Sequence, residues 1–217
     1  KAIADGIYSR LVQIHADMTH DMHTMGHMPN GTLRFLAWHR VYIVKFEQAL
    51  QTFEPTVVVP YWRWMDATTI PGWLASFKPT GITDATGKAI PVKRKPGTDP
   101  HSPTLPGEQT VRSTVMNQTA YRPFTLALEG AQPYGAHNQV HVWFNGTMSN
   151  VPLAPADPMF WMHHAEIDRL WAIWAKIHPA EVPGLAGAKD VLDPWAEKAS
   201  QVLDTTVSGY RYTYDRM

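Results

Sequence analysis

Apolar positions recur along several stretches of the chain with the spacing of helices. In the first stretch they follow the i, i+4, i+7, i+11 pattern at Ile7, Leu11, Ile14 and Met18. This pattern places apolar side chains on one helix face and predicts a helix over 3–22. Gly26, Pro29 and the pair Asn30-Gly31 predict a loop over 22–33. A second helix is predicted over 34–53, where aromatic and aliphatic side chains recur again.

The second half of the chain carries the remaining helical patterns. A third helical stretch starts in 123–130, a further helix covers 136–143, and a longer one runs over 157–177. The pair Asp157-Pro158 is typical of a helix start, with a side-chain cap and a proline in the first turn. The pair His178-Pro179 ends that helix, because the residue before a proline disfavours helical backbone.

Extended and irregular segments separate these helices. The β-branched run at 57–61 is predicted to be extended, and 68–123, rich in proline, is predicted to be a long surface excursion. Near the C-terminus Tyr210, Tyr212 and Tyr214 alternate along the chain, which predicts a short strand with its tyrosines on one face.

Composition narrows the class of protein. The 217 residues are 44% hydrophobic, which is enough for one sizeable core, so a single domain over 1–217 is predicted. The formal net charge is zero and 18% of residues are charged, which argues against nucleic acid or a membrane surface as a partner. Apolar runs are too short for a bilayer span, so we expect a soluble protein, either secreted or cytoplasmic. The missing initiator Met suggests a segment upstream of Lys1.

The chain has no cysteine, which excludes disulfides, iron–sulfur clusters and thiolate metal sites. Histidine is clustered instead. Nine of the eleven histidines fall in two windows, 15–39 and 137–164. Two separate clusters indicate two metals or one paired centre.

The second window has the clearer geometry. His137 and His141 are four residues apart and share one helix face. The tandem pair His163-His164 projects in two directions, so only one of its rings is expected to face inward. Three converging imidazoles without carboxylate or thiolate suit copper, or zinc with an open position.

Several motifs resemble those of tyrosinases and related type-3 copper proteins. They are FLAWHRVYIVKFE, PYWRW, HNQVHVWFNGTM and DPMFWMHHAEIDRLWAIW, and the resemblance spans roughly 14–174. It implies a mainly α fold: a four-helix bundle around a dinuclear copper site, with long irregular loops and few short strands. It also implies two copper ions as cofactors and dioxygen as a co-substrate. The absence of cysteine is a departure from members that carry a cysteine–histidine crosslink.

For the second copper, the resemblance implies His137, His141 and His164 as ligands. For the first copper, it implies His39 and His15.

The middle ligand of the first copper is harder to assign. The family usually places it nine residues before the third ligand, and this chain has Asn30 at that position. A small insertion would bring His27 into that role, and His27 is the prediction. His23 is the main alternative and His20 the next. His15 and His23 would lie about 12 Å apart on a continuous helix, which disfavours His23 unless the helix ends between them.

Two polar residues are candidates for the reaction itself. The resemblance places Glu129 where related bacterial enzymes carry a glutamate that orients a water, and Asn138 where an asparagine cooperates with it. Together they would accept the proton of a phenol, whose pKa is about 10.

We therefore expect an oxidoreductase that ortho-hydroxylates monophenols and oxidises o-diphenols to o-quinones with dioxygen. The alternative is an oxidase of o-diphenols or o-aminophenols alone, and a haemocyanin-like oxygen carrier is less favoured. Small phenols are the expected partners, and the oligomeric state is left open.

Overall fold

The computed structural model describes residues 1–25, 29–67, 69–130 and 134–214. The α-helices are α1 Ile7–Ala16, α2 Gly31–Gln51, α3 Gly72–Ala75, α4 Glu108–Thr110, α5 Tyr121–Glu129, α6 Ala136–Phe144 and α7 Met159–Ile177. A π-helical turn, Val111–Met116, follows α4. Short 3₁₀ helices cover Met18–His20, Trp64–Asp66, Val151–Ala156, Gly187–Asp190 and Ala199–Gln201. Two short strands, β1 Thr206–Val207 and β2 Tyr210–Arg211, pair antiparallel with Val207 opposite Tyr210.

The first helix is shorter than the sequence pattern predicted. Gly6 precedes it with left-handed backbone (φ 71°), and Asp17 ends it in an extended conformation. The Asp17 carboxylate accepts a hydrogen bond from the Thr19 backbone N–H at 3.0 Å and so starts a separate 3₁₀ turn. The chain therefore changes direction between His15 and His23, which removes the geometric objection to their meeting.

Helix α2 forms the centre of the core and packs against both α7 and α5. Phe35, Trp38 and Tyr42 on this helix are fully buried. Phe46 stacks on Trp161 of α7, with ring centroids 3.8 Å apart and an interplanar angle of 11°. Helix α1 packs on the 3₁₀ segment Val151–Ala156. The chain is about 48% helical with few short strands, which confirms the predicted mainly α fold.

Helices α2 and α7 are also joined by a buried ion pair. Arg40 Nε donates to Asp168 Oδ1 at 2.6 Å. The other carboxylate oxygen accepts hydrogen bonds from the hydroxyls of Tyr212 and Tyr214, each at 2.6 Å. The predicted tyrosine strand is thus only partly a strand, since Tyr212 and Tyr214 follow β2. They hold the tail on α7 through their hydroxyls.

The segment predicted as a surface excursion contains α3, α4 and the π-helical turn, and it is anchored to the core. Arg94 makes two hydrogen bonds of 2.6 Å to the carboxylate of Asp157, and both side chains are buried. Asp157 also accepts from the Met159 backbone N–H at 3.0 Å, the capping contact expected at the start of α7. The run at 57–61 forms no strand. None of the described helices is long and apolar enough to cross a membrane.

Candidate metal centre

Two adjacent helices present the second histidine cluster. Helix α6 carries His137 and His141, and α7 carries His163 and His164. The Nε2 atom of His137 lies 3.0 Å from Nε2 of His141 and 3.2 Å from Nε2 of His164. The helical spacing of four residues and the packing of α6 beside α7 thus bring three imidazole nitrogens to one point.

Hydrogen bonds to the opposite ring nitrogens fix how two of these imidazoles are protonated. His141 Nδ1 lies 2.8 Å from the carbonyl oxygen of Met148, which can only accept, so Nδ1 carries the proton. His137 Nδ1 lies 2.8 Å from Asn138 Oδ1. The Asn138 amide nitrogen donates to two backbone carbonyls at the end of α5, at 2.8 and 3.1 Å, which fixes its orientation. Both histidines therefore present a bare Nε2 lone pair.

The tandem pair behaves differently from the simple expectation. His163 and His164 are both fully buried, and neither points away from the cluster. The ring of His163 stacks on His137 at 5.0 Å, and neither of its nitrogens has a side-chain hydrogen-bond partner among the described residues. Four histidines thus offer ligand atoms within 4.8 Å of one another. Within the tandem pair, His164 is the predicted ligand, and its Nε2 lies 3.2 Å from Nε2 of His137.

The first cluster joins α1, the following segment and α2. His15 Nε2 lies 3.3 Å from Nε2 of His23 and 3.4 Å from Nε2 of His39. His39 Nδ1 donates to the Phe35 carbonyl at 2.8 Å, so its Nε2 is also bare. His23 Nδ1 lies 2.6 Å from the carboxylate of Glu129, at the end of α5.

The candidates for the middle ligand are separated by this geometry. His27, the predicted residue, lies outside the described residues. His20 stacks on Trp38 with ring centroids 6.3 Å apart and does not belong to the cluster. His23 occupies the position beside His15 and His39 that a third ligand needs.

The two clusters lie against each other. The rings of His39 and His164 stack with centroids 4.3 Å apart and an interplanar angle of 17°. Phe160 covers both sides, with its ring 5.0 Å from His15 and 4.1 Å from His164. The arrangement places two groups of imidazole nitrogens side by side in an aromatic shell.

Burial controls the charge of these imidazoles. Removal from water, together with neighbouring histidines, lowers the pKa of His15, His39, His137 and His164 well below the usual value. Burial also lowers the pKa of His141 to about 4, against the opposing effect of its bond to Met148. Neutral imidazoles with facing lone pairs repel one another unless a cation lies between them. The donor set therefore fits metal ions that accept several nitrogen ligands, copper among them.

A cavity of about 260 Å³ opens onto both clusters. Glu129 and Asn138, the predicted catalytic residues, both line it. Its remaining lining residues are His15, His23, Thr24, Met25, Tyr134, His137, His141, Val142, Met148, Ser149, Val151, Ala154, Phe160 and His164. Sequence reasoning did not find the apolar wall of Met148, Val151 and Ala154, since ordinary apolar residues carry no chemical signal.

The sequence matches the common central domain of tyrosinase over residues 5–101 and 84–177. The chain belongs to the tyrosinase family. It is 30% identical to a tyrosinase of Streptomyces glaucescens over 83% of this chain and 78% of that protein. It is 31% identical to grixazone synthase of Streptomyces griseus over 97% of this chain and 90% of that one. An octopus haemocyanin functional unit shares the fold, with a TM-score of 0.63, 22% identity and coverage of 88% and 52%.

The tyrosinase family uses two copper ions with dioxygen, and the two histidine clusters fit such a site. This agrees with the cofactors that the motifs implied. The family also includes haemocyanins, so membership by itself does not define the reaction.

Proposed function

We propose that this protein is a phenol oxidase that ortho-hydroxylates monophenols and oxidises o-diphenols to o-quinones. In the first reaction, one monophenol and one dioxygen give one o-quinone and one water. In the second, two o-diphenols and one dioxygen give two o-quinones and two waters. The observation that carries the proposal is the cavity with apolar walls that leads from the surface to the bare Nε2 atoms of both clusters.

We propose His15, His23 and His39 as the residues that hold the first copper, and His137, His141 and His164 as those that hold the second. The two copper ions supply dioxygen binding and electron transfer when bound. The chain supplies imidazoles, four of which hold a proton on Nδ1 through a hydrogen bond to oxygen and direct Nε2 at the metal site. The aromatic shell around them excludes bulk water, which protects reactive species from side reactions.

Glu129 and Asn138 are proposed to manage the proton of the phenol. Glu129 lines the cavity, and within the described part of the chain each of its carboxylate oxygens has one hydrogen bond, to His23 and to the backbone N–H of Thr24. A carboxylate oxygen accepts more than one hydrogen bond, so each retains an acceptor position for a water or a phenol hydroxyl. Asn138 bonds the backbone carbonyl of Glu129 and so fixes the end of α5 against His137.

The rival function is oxidation of o-diphenols or o-aminophenols without hydroxylation. Initial rates with tyramine and catechol distinguish the two on copper-loaded protein. Turnover of both supports the proposal, and turnover of catechol alone supports the rival. Turnover of neither, with reversible oxygen binding, would indicate an oxygen carrier. Asn138→Ala is expected to lower tyramine turnover more than catechol turnover, and an equal effect on both would contradict the role in proton acceptance.

A further inference from the structure

A buried carboxylate–imidazole contact joins the end of α5 to the segment before α2. Glu129 Oε1 lies 2.6 Å from His23 Nδ1, and the two side chains are 5% and 7% exposed. The second oxygen, Oε2, accepts from the Thr24 backbone N–H at 2.8 Å. One carboxylate therefore holds two successive residues of a segment that is 105 residues away in sequence.

His23 needs an external support because it does not lie on a helix. The other proposed ligands lie on α1, α2, α6 and α7, whereas His23 lies in irregular backbone after the 3₁₀ turn Met18–His20. This backbone is also fixed by close packing against the start of α2. A Cβ atom at Gly31 would lie 1.6 Å from the carbonyl oxygen of His23, so only glycine permits the approach. Gly31 thus confines the backbone of His23, and Glu129 confines its ring.

The contact also determines which ring nitrogen of His23 is free. A carboxylate accepts, so the proton resides on Nδ1 and Nε2 carries the lone pair. That Nε2 atom is the one directed at His15, 3.3 Å away. Carboxylates that orient metal-bound histidines in this way typically contribute about 10- to 100-fold to metal affinity.

We propose that Glu129 is a positioning residue for the first copper, which orients His23 and fixes its tautomer so that His23 binds as the middle ligand. This inference rests on the proposed function. It assigns to Glu129 a task separate from accepting the phenol proton, and the two tasks respond differently to substitution.

The experiment compares Glu129→Leu with Glu47→Leu. Glu47 is a matched control, because it is also buried, accepts from the Val59 backbone N–H at 2.6 Å and accepts from the Tyr210 hydroxyl. Among the described residues it has no hydrogen bond to a histidine. Copper affinity is measured by competition with a chelator. We expect Glu129→Leu to weaken one of the two copper ions about 10- to 100-fold. Glu47→Leu is expected to retain both copper ions, even if it lowers the unfolding temperature as much as Glu129→Leu does.

A conservative variant separates positioning from proton acceptance. In Glu129→Gln a single amide oxygen remains to accept, from His23 Nδ1 or from the Thr24 backbone N–H. The affinity for the first copper is therefore expected to lie between those of the wild type and Glu129→Leu, whereas tyramine turnover is lost. His23→Ala is expected to lose the same copper as Glu129→Leu. Loss of that copper from His27→Ala but not from His23→Ala would overturn the proposal.

A second readout uses metal-free protein and needs no activity. Nitrogen-15 NMR of the His23 ring is expected to show the Nδ1-protonated tautomer, and Glu129→Leu is expected to lose that preference. An unchanged tautomer, or equal copper affinity in the two Leu variants, would refute the positioning role. Failure of the wild-type protein to hold two copper ions would instead refute the proposed function, and the tautomer measurement would still test the contact itself.

Discussion

Replacement of Asp168 by Asn is expected to destabilise the protein strongly. Asp168 is 4% exposed and forms the buried ion pair with Arg40, while its second oxygen accepts from Tyr212 and Tyr214. The variant leaves the guanidinium of Arg40 buried without a counter-charge. Breaking a buried ion pair from one side costs about 3–5 kcal/mol of unfolding free energy. For a chain of this size that corresponds to a fall in Tm of about 6–20 °C.

The same substitution reaches the metal centre through the backbone. Arg40 follows His39 on α2, and Asp168 lies one helical turn after His164 on α7. The ion pair therefore aligns the two helices whose histidine rings stack between the clusters. We expect Asp168→Asn to weaken copper binding as well as to lower the unfolding free energy.

Urea denaturation of the metal-free protein measures this effect. Glu108→Gln is the control, because it removes the ion pair between Glu108 and Arg112. The side chain of Glu108 is 45% exposed and that of Arg112 is 75% exposed. Solvent screens such a pair, so its loss is expected to change the unfolding free energy by no more than about 0.5 kcal/mol. If Asp168→Asn and Glu108→Gln cost the same, the reasoning from burial is wrong.

His141→Ala is expected to remove the second copper and most of the phenol oxidation. The same change at the exposed His101 is expected to retain both copper ions and the activity. Metal content and catechol turnover measure the two effects. The metal-free protein is expected to lose stability as pH falls from about 6.5 towards 4, because the unfolded chain takes up protons on histidines whose pKa is lowered in the folded state. The urea concentration at the midpoint of unfolding, measured against pH, tests this, and a flat profile would contradict it. The cationic phenol tyramine is expected to have a KM about fivefold below that of the anionic 3-(4-hydroxyphenyl)propionate. The reason is that Glu129 lines the cavity and no lysine or arginine does so among the described residues. Equal KM values would argue against this electrostatic preference.

The sequence determined those parts of the site that depend on local geometry. His137 and His141 had to share a face, because the helical period places residues four apart together. The boundaries of α6 and most of α7 followed from apolar spacing, a capping aspartate and a terminal proline. The two histidine windows and the absence of cysteine restricted the site to metals that imidazoles bind.

The tertiary structure decided the contacts between distant segments. The end of α1 at Asp17 turned the chain and brought His23 to His15, which a continuous helix would have prevented. The contact between Glu129 and His23 joins residues 106 apart, and no local pattern encodes such a pairing. Helix α2 begins at Gly31 rather than at 34. Glycine ordinarily disfavours helices, but the close approach of the His23 backbone leaves no space for any side chain at this position. Local periodicity selects helix faces, whereas packing between helices selects which of the clustered histidines meet.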